Sequence, residues 1–262
     1  MLAPRPMGWI NWLGVWTLYA KEVRRFMKVY VQTIFAPVAN SLLFLCIFVL
    51  ALGGRTTQVG GVDFQQFLAP GLIMAAMMQN AFANTSSSLL MAKIQGNIVD
   101  LMMPPLSAGE LTAGLVLGGM TRGLTVGLAV LIGTMIFVPL GLHNLFCILY
   151  FAAGASLMLS VLGLLGGIWS EKFDHLAAMT NFVVMPLSFL SGTFYSIERL
   201  PDPFHLLALG NPFFYMIDGF RYGFTGHADG SVLIGAGIVA LADLLLVGLA
   251  YYLFRVGYRL KM

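Results

Sequence analysis

Charge is what this chain has least of. Asp, Glu, Lys and Arg make up 10% of its 262 residues, against roughly 25% in a soluble globular domain. With 59% hydrophobic residues and a mean hydropathy of +0.87, the composition excludes an ordinary soluble protein and predicts a polytopic membrane protein. No polar stretch is long enough for a second domain, so residues 1–262 read as one transmembrane unit. Cysteine is scarce as well: Cys46 and Cys147 both lie in apolar runs and imply neither a disulfide framework nor a metal site. No lysine follows a glycine, so the Gly-Lys-Ser/Thr turn that cradles nucleotide phosphates cannot be built and the chain has no ATPase motif of its own. HExxH and CxxC are absent, and His143, His175, His205 and His227 are scattered at or beyond the ends of apolar runs, which leaves a metal-dependent membrane protease without support. Ser86-Ser87-Ser88 has no histidine or lysine in its own span to act as a base; a nucleophile there needs a partner from another span. The opening Met1-Leu-Ala-Pro-Arg-Pro lacks the short apolar core and cleavage site of a signal peptide.

What is present is a succession of long apolar runs. Residues 9–28 read as an amphipathic interfacial helix: Trp9, Trp12, Leu13, Trp16, Ala20, Val23 and Met27 share one face, and Lys21, Glu22, Arg24, Arg25 and Lys28 crowd its second half. The predicted fold is all-α, with six spans at about 29–52, 64–91, 111–138, 145–169, 176–196 and 231–254. Gly114 and Gly118, then Gly119, Gly123 and Gly127, repeat every four residues, as do Ser156 and Ser160, and Gly163 and Gly167; this spacing lets a neighbouring helix approach closely. Residues 197–230 hold Pro201, Pro203 and Pro212 amid many aromatics. They are too broken to span and too apolar for a solvated loop, which fits a re-entrant or interfacial pair of short helices.

Placing the N-terminus in the cytosol puts eleven Lys and Arg on the cytosolic side and three outside (Arg55, Arg199, Arg221). This positive-inside bias predicts that both termini are cytoplasmic. It also brings the polar island Lys93–Glu110 and the turn Ser170–His175 to one face. In the island, Ile94, Ile98, Leu101 and Met102 recur at helical spacing, with Gln95, Asn97 and Asp100 between them, until Pro104-Pro105 stops the helix. Such a segment either docks onto something outside the membrane or rests its apolar side on headgroups.

Polar groups inside the spans form a third set. Gln79, Asn80, Asn84 and Ser87 on the second span either hydrogen-bond neighbouring helices or line a pathway. Arg122 either snorkels to the interface or pairs with an acid from another helix, the latter preferred. Asp243 is the clear acid near a span midpoint. It reads as a carboxyl hydrogen-bonded within the bundle, or alternatively as the coupling acid of a proton-driven secondary transporter.

Several blocks together resemble the integral-membrane permeases of ABC-2 type exporters, over nearly the whole chain. They are Ala20-Lys-Glu-Val-Arg-Arg-Phe-Met27, Phe67-Leu-Ala-Pro-Gly-Leu-Ile-Met74, Lys93-Ile-Gln-Gly-Asn-Ile98 with Leu101-Met-Met-Pro104, and Leu190-Ser-Gly-Thr-Phe-Tyr-Ser196 with Leu200-Pro201. The most specific is Asn211-Pro-Phe-Phe-Tyr-Met-Ile-Asp-Gly-Phe-Arg-Tyr-Gly223. The resemblance implies a subunit of the bacterial inner membrane that is itself no enzyme, carries drug-like molecules, lipids or lipid-linked glycans outward, and pairs with a second copy as a homodimer. It implies two copies of a separate ATPase subunit, with ATP and Mg held there and no cofactor on this chain. Neither nucleic acid nor metal is expected to bind. It further implies that Lys93, Ile94, Gly96, Asn97, Asp100, Leu101 and Pro104 form the ATPase-coupling segment, and Glu171 and Asp174 a smaller second contact. The remaining alternatives are the proton-coupled transporter using Asp243 and a membrane-embedded enzyme.

Overall fold

The computed structural model describes residues 10–52 and 58–259. Trp9 of the amphipathic face, the loop cation Arg55, and Arg5 and Lys261 of the charge count lie outside the described residues, as does the opening Met1–Pro6. Among those described, the chain is mostly helical, with turns between the helices and a small antiparallel hairpin pairing Gln58–Val59 with Val62–Asp63.

Five helical segments are long and apolar enough to cross a membrane: Val31–Leu50, Ala108–Met135, Leu145–Trp169, Phe173–Leu190 and Val232–Val256. The helix they surround, α3 (Phe64–Ile94), is not among them. Its 31 residues give about 46 Å at roughly 1.5 Å per residue, more than a hydrocarbon core of about 30 Å, but Gln79, Asn80 and Asn84 dilute its apolar middle. It tolerates them because it is the hub. It packs most closely against α5 (Ala108–Met135) and α6 (Leu145–Trp169), and touches α10 (Pro212–Thr225) and α2 (Ala36–Leu52) as well. The helix α11 (Val232–Val256) leans on α6, α10 and α5.

The small-residue repeats set this packing. A Cβ at Gly123 would stand 2.9 Å from that of Ala81 and 3.0 Å from the Met77 carbonyl, and one at Gly127 would meet Met77. Gly163 lies against Phe82 and Thr85, and a Cβ at Gly167 would be 3.0 Å from that of Leu89. Backbones this close let polar side chains reach across: Thr85 Oγ1 donates to the Ser160 carbonyl (2.7 Å), and Ser160 Oγ to the Val116 carbonyl (2.8 Å). Without a hydrophobic drive between helices in lipid, such contacts hold the bundle.

Two helices absorb a proline in the same way. A five-residue π turn, Val31–Phe35, precedes Pro37 at the start of α2, and another, Thr180–Val184, lies between α7 (Phe173–Met179) and α8 (Met185–Leu190) and precedes Pro186. Proline removes one rung of the hydrogen-bond ladder and clashes with the turn before it; widening that turn accommodates both.

The amphipathic helix α1 (Trp12–Met27) forms, with Asn11 Oδ1 accepting from the Gly14 N–H at 3.0 Å. It runs along the first turns of α5, Leu18 against Gly114 and Glu22 against Gly118. The face bearing the tryptophans is turned away from the rest of the protein: Trp12, Leu13 and Trp16 are 72%, 65% and 64% exposed, while Leu18, Glu22 and Phe26 are buried.

The island differs from expectation. Gly96, at φ +74°, breaks it after α3, and the second helix, α4, spans only Ile98–Met102. Ile94 and Met102 therefore do not share the face of Ile98 and Leu101; the first two are exposed and the last two buried. Residues 197–230 hold three helical pieces rather than a pair: the 3-10 turn Ile197–Arg199, α9 (Asp202–Leu209) and α10.

Candidate coupling face and polar groove

Lys93 was expected to be part of a docking surface. The structure buries it, 9% exposed, and its Nζ donates to the carbonyls of Gly167 (3.1 Å), Ile168 (2.6 Å) and Ser170 (2.9 Å). The first two are among the last carbonyls of α6, which have no partner inside the helix, and the third is that of its C-cap residue; a cation there also meets the negative end of the helix dipole. Lys93 thus clamps the end of α3 to the end of α6 and puts the island and the Ser170–His175 turn at the same end of the bundle. Arg259 reaches the same place, donating to the Trp169 carbonyl (2.9 Å) and lying 3.9 Å from Glu171. Glu171 and Asp174 are exposed.

Below the clamp, α4 is pinned by two side chains. Ile98 and Leu101 sink into a cluster with Leu18, Leu89, Leu111 and Leu115. What faces outward is Ile94 (49% exposed), Val99 (56%) and Met103 (75%), with Asn97, Asp100 and Pro104 also exposed. The base of the island is held too. Glu110 closes a capping box with Ser107 on α5, and its Oε1 accepts from the Asn11 N–H at 2.5 Å, so one carboxylate ties the starts of α1 and α5 together. The arrangement is a short, rigidly seated, apolar-and-acidic edge.

The polar residues of α3 divide into two groups. Asn84 and Ser87 are taken up by α1: Arg25 Nη2 donates to the Asn84 carbonyl (2.6 Å) and Oδ1 (3.0 Å), and its Nη1 to Ser87 Oγ (3.3 Å). Arg25 pairs with the buried Glu22 at 3.1 Å, and Glu22 Oε1 accepts from Ser88 Oγ at 2.7 Å. Gln79 and Asn80 instead line a groove of about 820 Å³ between α2, α3 and α8, beside Asn40 and Ser41, with Phe44, Phe48, Phe189 and Phe194 toward its other end.

Arg122 meets no acid among the described residues. Its Nη2 donates to Asn80 Oδ1 at 3.0 Å, an amide in place of the expected carboxylate. Asp243, 8% exposed, is not hydrogen-bonded at Oδ1, contrary to the expectation for it. It lies beside Gly154, and the nearby Tyr150 hydroxyl is committed to the Ala236 carbonyl at 2.7 Å. At the opposite end of the bundle Arg221 is fully enclosed. It stacks 3.7 Å over Phe67, donates to the carbonyls of Phe67 and Gly192, and faces Asp218, whose carboxylate accepts from the N–H groups of Asp229 and Gly230. Sequence spacing did not single out Glu22, Arg25 or Arg221 as organising residues. An arginine two turns into a helix that starts Asn-Pro was the available signal for the last.

The family model for the ABC-2 type transporter matches residues 14–225. The chain belongs to that family. It is similar to the inner membrane transport permease YadH of Escherichia coli K12, 37% identical over 88% of this chain and 91% of that one. More distantly it is similar to nodulation protein J of Rhizobium leguminosarum bv. viciae, 24% identical over 92% of each chain, and to nodulation protein J of Neorhizobium galegae, 22% identical over 90% and 89%. As a permease of this family the chain is a membrane-embedded transport subunit rather than an enzyme. The polar edge and the groove are therefore features of a transporter.

Proposed function

We propose that this chain is the permease half of an ABC exporter, moving an amphipathic substrate out of the cytoplasm under the drive of a separate ATPase. One observation carries the reading: the exposed edge Ile94–Val99–Asp100–Met103 rests on a buried clamp in a chain that has no phosphate-binding lysine turn. In this proposal α3 is the sixth span beside the five apolar ones, α9 and α10 are the re-entrant pieces, and both termini are cytoplasmic. The α4 edge sits in a cleft of the ATPase, and Glu171 and Asp174 make the smaller contact. ATP and Mg belong to that partner, which in this proposal is present in two copies against a homodimer of permeases. ATP binding draws the ATPases together, and the seated α4 passes the movement on as a rigid-body shift. Gln79 and Asn80 face the substrate path; Asn84 and Ser87 serve the α1 contact.

The test is to isolate the protein from its native membrane in mild detergent and identify what accompanies it. A soluble ATPase that co-purifies, and is lost on replacing Val99 and Met103 by Glu, supports the reading. In the reconstituted complex Asp100→Ala or Gly96→Pro should uncouple hydrolysis from transport while insertion is kept. A preparation free of ATPase that moves substrate under a proton gradient sinks the proposal. That second reading, a proton-coupled secondary transporter, is favoured by the unpartnered Oδ1 of Asp243. Loss of transport in Asp243→Asn with the ATPase still bound would favour it.

A further inference from the structure

Arg122 is a half-buried guanidinium in a low-dielectric bundle with no carboxylate in salt-bridge range among the described residues. One hydrogen bond, to Asn80 Oδ1, accounts for one of its nitrogens; Nε is buried and has no partner. Burying a charge is costly unless it is paired, and the surroundings add to the imbalance. Glu22, the buried acid of α1, is already committed to Arg25 and Ser88. Along residues 12–35 Glu22 is the sole acid among Lys21, Arg24, Arg25 and Lys28. The chain over α1 and the start of α2 thus carries a net positive charge, with Lys21, Arg24 and Lys28 at exposed positions.

Asn80 connects that charge to space. Its Oδ1 faces Arg122 while the residue lines the groove between α2, α3 and α8. On α3, Asn80 is at the end of the groove nearer α4; at the other end Phe48 stacks on Phe194 with ring centroids 5.2 Å apart. The groove is therefore polar with a cation behind it at one end and aromatic at the other. Its volume of about 820 Å³ is that of a drug-sized ligand site, roughly 300–1,000 Å³, which suits one tail rather than the two of a bilayer phospholipid.

We infer that this groove binds a single-tailed amphiphile with an anionic head, a phosphate or carboxylate, the head held at the Asn80 end by the charge of Arg122 behind it and the tail lying along Phe44, Phe48 and Phe194. This deepens the exporter reading by naming the class of cargo. Binding requires neither ATP nor the ATPase, so a failed ATPase pull-down and a failed binding test are separate results.

The experiment uses the full chain in nanodiscs of zwitterionic lipid and two photoactivatable probes with the same tail, dodecyl phosphate and dodecanol, each carrying a diazirine. The phosphate should label groove peptides, including the one containing Phe194, at about tenfold lower concentration than the alcohol, the factor expected for a charge-assisted hydrogen bond. Arg122→Gln should erase that preference and Arg122→Lys should keep it, with alcohol labelling unchanged in both. Asn80→Asp, nearly isosteric and supplying the missing counter-charge, should erase it as well, and serves if Arg122→Gln fails to fold. Equal labelling by both probes in the wild type overturns the inference, as does a preference that survives Asn80→Asp. Displacement of the phosphate probe by added phosphatidylglycerol assigns the site to resident lipid and overturns it too.

Discussion

Replacing Lys93 by methionine tests whether the α3–α6 clamp is structural. Methionine keeps the length and apolar stem but cannot donate, so the carbonyls of Gly167, Ile168 and Ser170 lose their common partner. The site is 9% exposed, so water replaces the ammonium poorly. A buried polar group left unmade costs about 1–3 kcal/mol, and a cation at a helix C-terminus adds about 0.3–1 kcal/mol. Allowing for partial relaxation, the loss should be about 3 kcal/mol. For a chain of this size each kcal/mol moves Tm by about 2–4 °C, which gives a fall of about 6–12 °C, read from the intrinsic fluorescence of the detergent-solubilised full chain. Arg24→Met, an exposed cation on α1, is the control and should move Tm little. A Lys93→Met protein melting within about 2 °C of wild type would refute the clamp and return Lys93 to the docking surface.

Glu22→Ala should destabilise by about 3 kcal/mol, toward the lower end for breaking a buried pair because Arg25 is 34% exposed; the same melting assay checks it. Gly163→Leu should cost at least about 1–3 kcal/mol by forcing α6 off Phe82 and Thr85. Gly248→Ala, where an added Cβ meets nothing within 4 Å, should be neutral or up to about 1 kcal/mol stabilising, since alanine is the better helix former. Val99→Glu with Met103→Glu should leave Tm unchanged yet abolish association with the ATPase, whereas Ile98→Glu, which buries a charge among leucines, should prevent folding and be visible as aggregation in size-exclusion chromatography.

Helix positions and close approaches could be read off the sequence because their signals are local. The run 145–169 coincides with α6, and the glycine repeats meet a neighbour where their spacing says one should lie, Gly114 and Gly118 against α1 and the others against α3. The protein-facing contacts of α1 could not: spacing marks its tryptophan face but not that Leu18, Glu22 and Phe26 are the side chains packed on the bundle. In lipid the most apolar face of a helix turns outward, and the protein-facing stripe is the one with small and polar residues. Trp12, Leu13 and Trp16 therefore mark the lipid side, and Glu22 the inward one. The contacts of Lys93 and Arg25 are hidden for a different reason: their partners lie 59 to 77 residues away along the chain, and nothing in Lys93-Ile-Gln-Gly distinguishes a solvated lysine from one that caps a helix folded beside it. Asn80 and Asn84 are one turn apart and chemically identical. Only the third dimension assigns the second to Arg25 and the first to a groove beside Arg122.

The division of polar groups also says which parts of the permease can move. From α4 through α3 to α6 the contacts are of the kind that resist sliding: glycines enclosed by neighbouring backbone, Thr85 bonded to Ser160, and Lys93 closing the end. A shift of one residue along α3 would drive Met77 or Phe82 into the α5 and α6 backbones, so this unit answers a push as one body. The walls of the groove are built otherwise. Both α2 and α8 begin just after a π turn forced by proline, and much of their surface is exposed, Phe44 and Phe189 included. Wide turns are where a helix yields at least cost. In the proposed exporter a displacement delivered at α4 therefore carries α3, with Gln79 and Asn80, past walls hinged at Val31–Phe35 and Thr180–Val184. The groove changes width where the cargo's head would sit, while the Arg221 cluster holds the opposite end of α3 through the Phe67 carbonyl.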